Sequence, residues 1–288
     1  MNKKLPLLAL LSSVLVLSAC NITEDISTST PKREEDLSFP SSSAESKGEG
    51  ESDTSEEKKE KLISDLKNTS ELPINYLEKM NSYSSYKAVT EGKTTASILF
   101  VNVDQTIDVT SIKGEYSYQL NSSESSMYSS RHEAYYHDGK AVYKDKKDSD
   151  FNVASMNDYL DKYGTYPFGN AIEGYKVTGD AIKSITKMAM DGENYRFKLI
   201  FDTEKATNNV KIQMKEFGSL DELPTFTDIT IIMTLQNDYT PVKLDLESHY
   251  KAKQGVTTSC TQKYTVTFSN FNENIEVPNL DAVKDKFN

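Results

Sequence analysis

Between Thr225 and Phe271 apolar and polar positions alternate in step. Ile229, Ile231, Met233 and Leu235 alternate with Thr230 and Thr234. Past Asn237-Asp238, Val242, Leu244, Leu246 and Tyr250 alternate with Lys243, Asp245, Glu247, His249 and Lys251. Past Gln254-Gly255, Val256, Cys260, Tyr264, Val266 and Phe268 alternate with a series of Thr, Ser and Lys. Successive side chains of a strand point to opposite faces, so a period of two predicts antiparallel strands with one apolar and one solvated face. What covers the apolar face decides what such a sheet can do.

The remaining chain supplies more strands and some helices. Glu57–Lys67 places Leu62, Ile63 and Leu66 together, which predicts a helix. A second helix follows with Ser70 as N-cap, Pro73 in its first turn, and Tyr76, Leu77, Met80 and Tyr83 on one side. Strands are predicted at 86–90, 95–103, 106–112 and 115–122, with Ser122–Ser130 as a loop or frayed edge. Asp138-Gly139 between Ala134–Tyr136 and Ala141–Tyr143 is a hairpin signal, as is Asp191-Gly192 between 182–190 and 195–202. Phe151–Tyr163 reads as a helix stopped by Gly164, and 165–179 as loop or a flap over the sheet. For 203–217 a helix is expected, although Val210, Ile212 and Met214 also alternate as in a strand. Asn274–Pro278 is a last extended piece before a charged tail. About ten or eleven strands with three or four helices make one α+β domain over 57–288.

The N-terminus carries a different message. Lys3-Lys4, the apolar run Leu5–Leu17 and then Leu17-Ser18-Ala19-Cys20 form a signal peptide over 1–19. Its ending resembles the bacterial lipoprotein signal, which implies acylation of Cys20 with palmitate-type chains as the mature N-terminus. Two chains give stable anchoring. Residues 20–56 then form a tether, because 13 of residues 21–55 are Ser or Thr and 9 are Asp or Glu. Too little apolar surface is available there to offset ordering entropy. A long polar tether suits a Gram-positive surface. From Cys20 onward 31 basic and 44 acidic residues leave a formal charge of −13, which excludes nucleic acid as the natural partner and argues against lying flat on anionic lipid. With Cys20 acylated, Cys260 has no intramolecular disulfide partner and reads as a buried, inert thiol.

Candidate chemistry is sparse. The histidines are His132, His137 and His249; the first two are five apart, so a strand points them to opposite faces, and all three read as surface residues. No zinc-protease, nucleophile-elbow, P-loop, paired-cysteine or dinucleotide motif occurs, so no catalytic residue, metal or cofactor is assigned. Carboxylates fall on loops and solvated strand faces. Phe100, Tyr118, Tyr195, Phe197, Phe201, Met233, Tyr250, Tyr264 and Phe268 are expected to line the inner side, either as a filled core or as the wall of a cavity for acyl chains.

Several segments carry a resemblance. The N-terminal helix running through Tyr83-Ser84-Ser85-Tyr86 into strands, the hairpin Asp138-Gly139-Lys140-Ala141-Val142-Tyr143, the turn Tyr239-Thr240-Pro241-Val242 and the ending Phe268–Pro278 are similar to the LolA/LolB-like carriers and the LppX/LprG-type lipoproteins. That resemblance spans roughly 60–283. It implies a large twisted antiparallel β-sheet forming a half-open barrel with helices on its concave face, and a hydrophobic ligand between sheet and helices. It brings no catalytic residues and no motif-defined ligand contacts. The expectation is a monomeric, non-enzymatic lipoprotein on the extracytoplasmic face of the membrane, binding a lipid or other apolar ligand. The alternative is a solid-cored accessory subunit of an envelope complex.

Overall fold

The structure, a computed structural model, describes residues 61–98, 101–125, 129–145, 149–163, 181–206, 211, 214–215 and 220–288. Cys20, the tether, Glu57–Glu60 and the flap at 165–179 lie outside the described residues. Eleven strands form one continuous sheet: β1 Tyr86–Ile98, β2 Val101–Lys113, β3 Ser117–Ser125, β4 Ser129–His137, β5 Lys140–Lys144, β6 Asn152–Ser155, β7 Ile182–Lys187, β8 Tyr195–Phe201, β9 Thr225–Leu235, β10 Pro241–Gln254 and β11 Val256–Ser269. Their order is β6-β5-β4-β3-β2-β1-β11-β10-β9-β8-β7, antiparallel at every described pairing. Two meanders, β1–β6 and β7–β11, are thus joined by the β1–β11 pair. The sheet is open, with edges at β6 and β7, and the architecture is the α+β, half-open type that the sequence predicts.

Register assigns each side chain a face. Ala88 lies opposite Phe268, Thr90 opposite Val266 and Ala96 opposite Cys260. Leu244 and Leu246 face Met233 and Ile231, which in turn face Phe197 and Leu199. These residues share the inner face, and most are fully buried. Helix α1, Leu72–Ser82, lays Leu72, Tyr76 and Met80 on it at the end near the β9–β10 turn. Asn75 donates to the Tyr239 hydroxyl, and Lys79 pairs with Asp238 at 2.6 Å. Helix α2, Met156–Tyr163, presses Tyr159 onto Ala134, Tyr136, Ala141 and Tyr143 at the other end of the same face. Burial of each large apolar side chain contributes about 1.5–3 kcal/mol, so these two patches dock the helices.

Several boundaries differ from expectation. Residues 62–67 contain only a short 3-10 turn, Ile63–Asp65, where a helix is predicted. Asn68, not Ser70, caps the next turn, Thr69–Glu71, and α1 begins at Leu72. The three predicted strands between Tyr86 and Ile112 are two, β1 and β2, with Ile98 paired to Val101. The predicted break at Glu91–Thr94 is continuous strand. Gly92 serves there as a close approach, since a Cβ would lie 2.2 Å from the Lys263 carbonyl oxygen. Ser122–Ser125 extends β3 rather than fraying, and 152–155 is strand β6, with α2 starting later under a Ser155 cap. Asp138 and Gly139 both take positive φ, as the Asp-Gly hairpin demands. Between 203 and 217, α3 (Thr203–Ala206) and the described residues 211, 214 and 215 are helical.

The outer face is not wholly solvated, contrary to the one-sided pattern. Ile112, Tyr118, Tyr135 and Val142 point outward and are buried by the C-terminal segment, whose Val283 and Phe287 complete that cluster. Tyr118 therefore belongs to the outer side, not to the inner wall. What reads as a charged tail is a strap with two 3-10 turns, Leu280–Ala282 and Lys284–Phe287. Lys140 donates to the Phe287 carbonyl at 2.6 Å, and Ser85 donates to the Glu273 carbonyl at 2.6 Å.

Candidate functional site

Toward the β1–β2 connection, away from both helix patches, the inner face changes character. Ser248 on β10, Gln262 on β11, Thr94 on β1 and Gln105 on β2 stand side by side across four strands, and Ser123 on β3 continues the line. All five are buried, at 0%, 0%, 2%, 0% and 1% exposure. They form a polar seam across an otherwise apolar wall. Part of it is internally satisfied. Ser248 donates to Gln262 Oε1 at 3.2 Å, and Gln262 Nε2 donates to the Tyr250 hydroxyl at 3.1 Å. Gln105 Nε2 donates to Ser123 Oγ at 2.8 Å, which meets Ser130 Oγ at 2.8 Å. Among the described residues, Gln105 Oε1 and Thr94 Oγ1 in the seam, and Asn121 Oδ1 and Thr258 Oγ1 beyond it on opposite sides, have no hydrogen-bond partner. Such a group costs about 1–3 kcal/mol when buried.

A second polar cluster lies under α2. His132 is on the inner face and only 4% exposed, which corrects the surface reading. Its Nδ1 is 2.8 Å from Asp145 Oδ1 and its Nε2 2.7 Å from the Tyr159 hydroxyl, which accepts from Tyr136. Burial pushes the Tyr159 phenol up. The predicted opposition of His132 and His137 holds, since His137 stacks on Tyr116 on the outer face. His249 sits at 41% exposure beside Asp228, as expected of the polar face.

Glu133 is the exception to the solvated carboxylates. It is 3% exposed on the outer face, 2.8 Å from the Tyr135 hydroxyl and near Lys144 and Arg131 at 3.4 and 3.5 Å. Burial first, and then Glu133, pushes the Tyr135 phenol up. The Tyr135 hydroxyl also lies 2.9 Å from the Pro278 carbonyl, so the cluster clamps the strap. Cys260 is buried as predicted, and burial pushes its thiol up to about 11. Among the described residues no group of three His, Cys, Asp or Glu side chains could hold a metal ion. No described helix is long and apolar enough to cross a membrane.

Two clefts open on the outer side. One of about 760 Å³ lies between the β2–β3 turn and the strap, lined by Ile112, Tyr116, Ile275 and Leu280 among others. The other, about 330 Å³, runs over β9, β10, β11 and β1. Neither cleft nor the polar seam is marked in the sequence by a motif. The seam is legible only once register aligns Ser248, Gln262, Thr94 and Gln105, because each alone looks like a permissible polar residue in a strand.

No family model matches this sequence and no curated protein matches it. Among solved structures the chain is similar to LprF from Mycobacterium bovis, at 11% identity and a TM-score of 0.38, over 73% of this chain and 96% of that one. It is also similar to the LolA superfamily protein NE2245 from Nitrosomonas europaea, at 12% identity, a TM-score of 0.27 and coverage of 73% and 96%. A DUF1329 family protein from Desulfovibrio piger aligns at 9% identity and a TM-score of 0.27, over 73% and 94%. Likeness at this level carries no function across; the functional reading rests on the geometry of the sheet.

Proposed function

We propose that the chain is a membrane-anchored, extracytoplasmic lipoprotein, cleaved after Ala19, acylated on Cys20, and receiving an apolar ligand on the inner face of its sheet. The observation that supports ligand binding is the breadth of the apolar inner wall. The four central strands, of 13 and 14 residues, run about 45 Å, and the eleven-stranded sheet spans roughly 50 Å across. Helix α1 has 11 residues, about 16 Å, and α2 has 8. These helices, together with Ala206, Met214 and Leu220, pack on a wall built from Ile, Leu, Met, Phe and Tyr whose side chains are mostly buried. A wall of this breadth suits acyl chains, which need area and no directional partner. Nothing in this reading requires chemistry, and the domain acts as a holder.

The test is native mass spectrometry of the mature chain extracted from its own membranes, with radiolabelled palmitate fed beforehand. The expected result is label on Cys20, lost in Cys20→Ser, and additional mass corresponding to non-covalent lipid. Absence of label removes the anchor. A ligand-free mass that stays ligand-free after incubation with lipid vesicles removes the ligand.

A second reading, an accessory subunit that binds another protein, is favoured by the 760 Å³ cleft on the outer side. Crosslinking that captures one partner through the strap, with no lipid in the spectrum, selects it.

A further inference from the structure

The outer cleft combines a lining and a charge that select one kind of partner, and this inference rests on the second reading above, in which the chain binds another protein. We propose that the cleft between the β2–β3 turn and the strap takes an extended, basic segment of that partner, with its apolar side chains on the cleft floor and its Lys or Arg side chains at the rim. At about 760 Å³ the cleft falls within the range of ordinary ligand sites, roughly 300–1,000 Å³. Its floor is Ile112, Tyr116, Ile275 and Leu280, which belong to the outer apolar cluster or pack against it. One wall is the strap at residues 274–277, which contains no helix or turn. Ser85 bonds the Glu273 carbonyl just before it and Tyr135 the Pro278 carbonyl just after it. Among the described residues, the backbone of 274–277 itself makes no hydrogen bond. Open donors and acceptors on consecutive residues form a border on which a partner strand can pair through its main chain.

Charge selects the side chains of that partner. Glu115, Glu273, Glu276 and Asp281 line the same cleft, against a single lysine, Lys113. Among the described residues none of the four carboxylates sits in an ion pair; Glu273 accepts from the Asn270 amide. Carboxylates on the sheet's outer face are paired instead, as Asp104 is with Lys93 at 3.1 Å and Glu247 with Lys263 at 3.0 Å. The lysines near the cleft lie against rings: Lys113 Nζ is 5.7 Å from the centroid of Tyr86 and Lys284 Nζ 5.4 Å from that of Tyr116. A segment that alternates Lys or Arg with apolar residues meets rim and floor together, and complementarity of this kind sets specificity and association rate. The same charges disfavour two other occupants. A second copy of a chain with a formal charge of −11 brings more acid, and an anionic bilayer is repelled.

The experiment titrates the mature chain against two pools of fluorescein-labelled hexapeptides, read by fluorescence anisotropy. In both pools Ile, Leu, Val, Phe or Tyr occupies alternate positions; the positions between are Lys or Arg in one pool and Gln in the other. The basic pool is expected to bind about tenfold more tightly at low salt, with the margin shrinking as salt is added. Glu115→Gln/Glu276→Gln/Asp281→Asn removes most of that margin. Asp65→Asn/Glu71→Gln/Glu193→Gln takes the same charge from exposed positions outside the cleft and leaves the margin in place. Circular dichroism establishes that both triple variants are folded. Bound peptide is also expected to slow hydrogen exchange at the amides of residues 274–277. No margin for the basic pool, an equal loss in the two triple variants, or unchanged exchange at 274–277 overturns the proposal; equal loss means that net charge alone draws the peptide. Crosslinking through the strap separates this assignment from the reading beneath it. A partner captured equally by the parent and by the cleft variant overturns only the cleft assignment, whereas no captured partner with the parent overturns the accessory-subunit reading itself.

Discussion

Gly92→Ala is a sharp test of how β1 and β11 meet. A glycine-to-alanine change in a strand that accommodates a Cβ stabilises a protein by about 0.4–1 kcal/mol, by restricting the unfolded chain. Here the added Cβ would stand 2.2 Å from the Lys263 oxygen and 2.7 Å from the Tyr264 Cα, against 3.4 Å for ordinary contact. Both obstacles are backbone, so no side-chain rotation relieves them. The two strands must part by roughly 1 Å, a cost of about 1–3 kcal/mol for overpacking. One or two ladder hydrogen bonds weaken as well, at about 1 kcal/mol each. After subtracting the unfolded-state gain, the net loss is about 2–4 kcal/mol. Urea unfolding followed by tyrosine fluorescence is expected to show a midpoint lowered by about 1 M. Gly114→Ala, whose nearest contact is 3.7 Å away, serves as the control with no steric term. A Gly92→Ala midpoint equal to or above that of the parent refutes the reasoning about close approach.

Three further outcomes follow from other sites. Tyr159→Phe removes the hydroxyl that bonds His132 Nε2 and Tyr136, and is expected to cost about 1–3 kcal/mol, with hydrogen exchange rising in α2 and β5 before the rest; uniform exchange across the chain would contradict it. Cys260, with its thiol pushed up by burial to about 11, is expected to resist iodoacetamide at pH 8 until the chain unfolds; prompt native labelling would contradict it. Burial works to raise the Asp238 carboxyl, but bonds from Lys79 and Thr240 outweigh it and hold the carboxyl below 3.8. A lowered pKa adds stability above the unfolded value, and that stability is lost as pH falls through the folded value. Asp238→Asn is therefore expected to cost about 1 kcal/mol at pH 7. The difference should close as the pH is taken below 3.8, and a gap that persists at pH 2 would contradict this account.

Legibility in the sequence tracks how local the determining physics is. The alternation in β9, β10 and β11 predicts their faces correctly, because one side meets solvent and the other a core along most of each strand. Asp138-Gly139 marks its hairpin because both residues tolerate positive φ. The β1–β2 connection lies within Ile98-Leu99-Phe100-Val101, which contains no turn former, so nothing local separates strand from turn. The C-terminal strap looks like a polar tail because Val283 and Phe287 are isolated among charges; their partners Tyr118, Tyr135 and Val142 are far away in sequence. His132 illustrates the same limit, since spacing orders the two histidines on opposite faces but does not say which face is covered. The polar seam depends on register across five strands, which no single segment encodes.

The pairing of β1 with β11 has a consequence for how this chain matures. Val89 and Thr267 are neighbours across it, yet 178 residues separate them. Each meander can assemble as it emerges, from contacts between adjacent segments. The central seam between them must wait until nearly the whole polypeptide has been delivered, and loop closure of that span is slow to initiate. Until then each half exposes a long, unpaired β border, the kind of surface on which nascent chains stick to one another. A protein built this way depends, until the two halves meet, on whatever holds such borders apart.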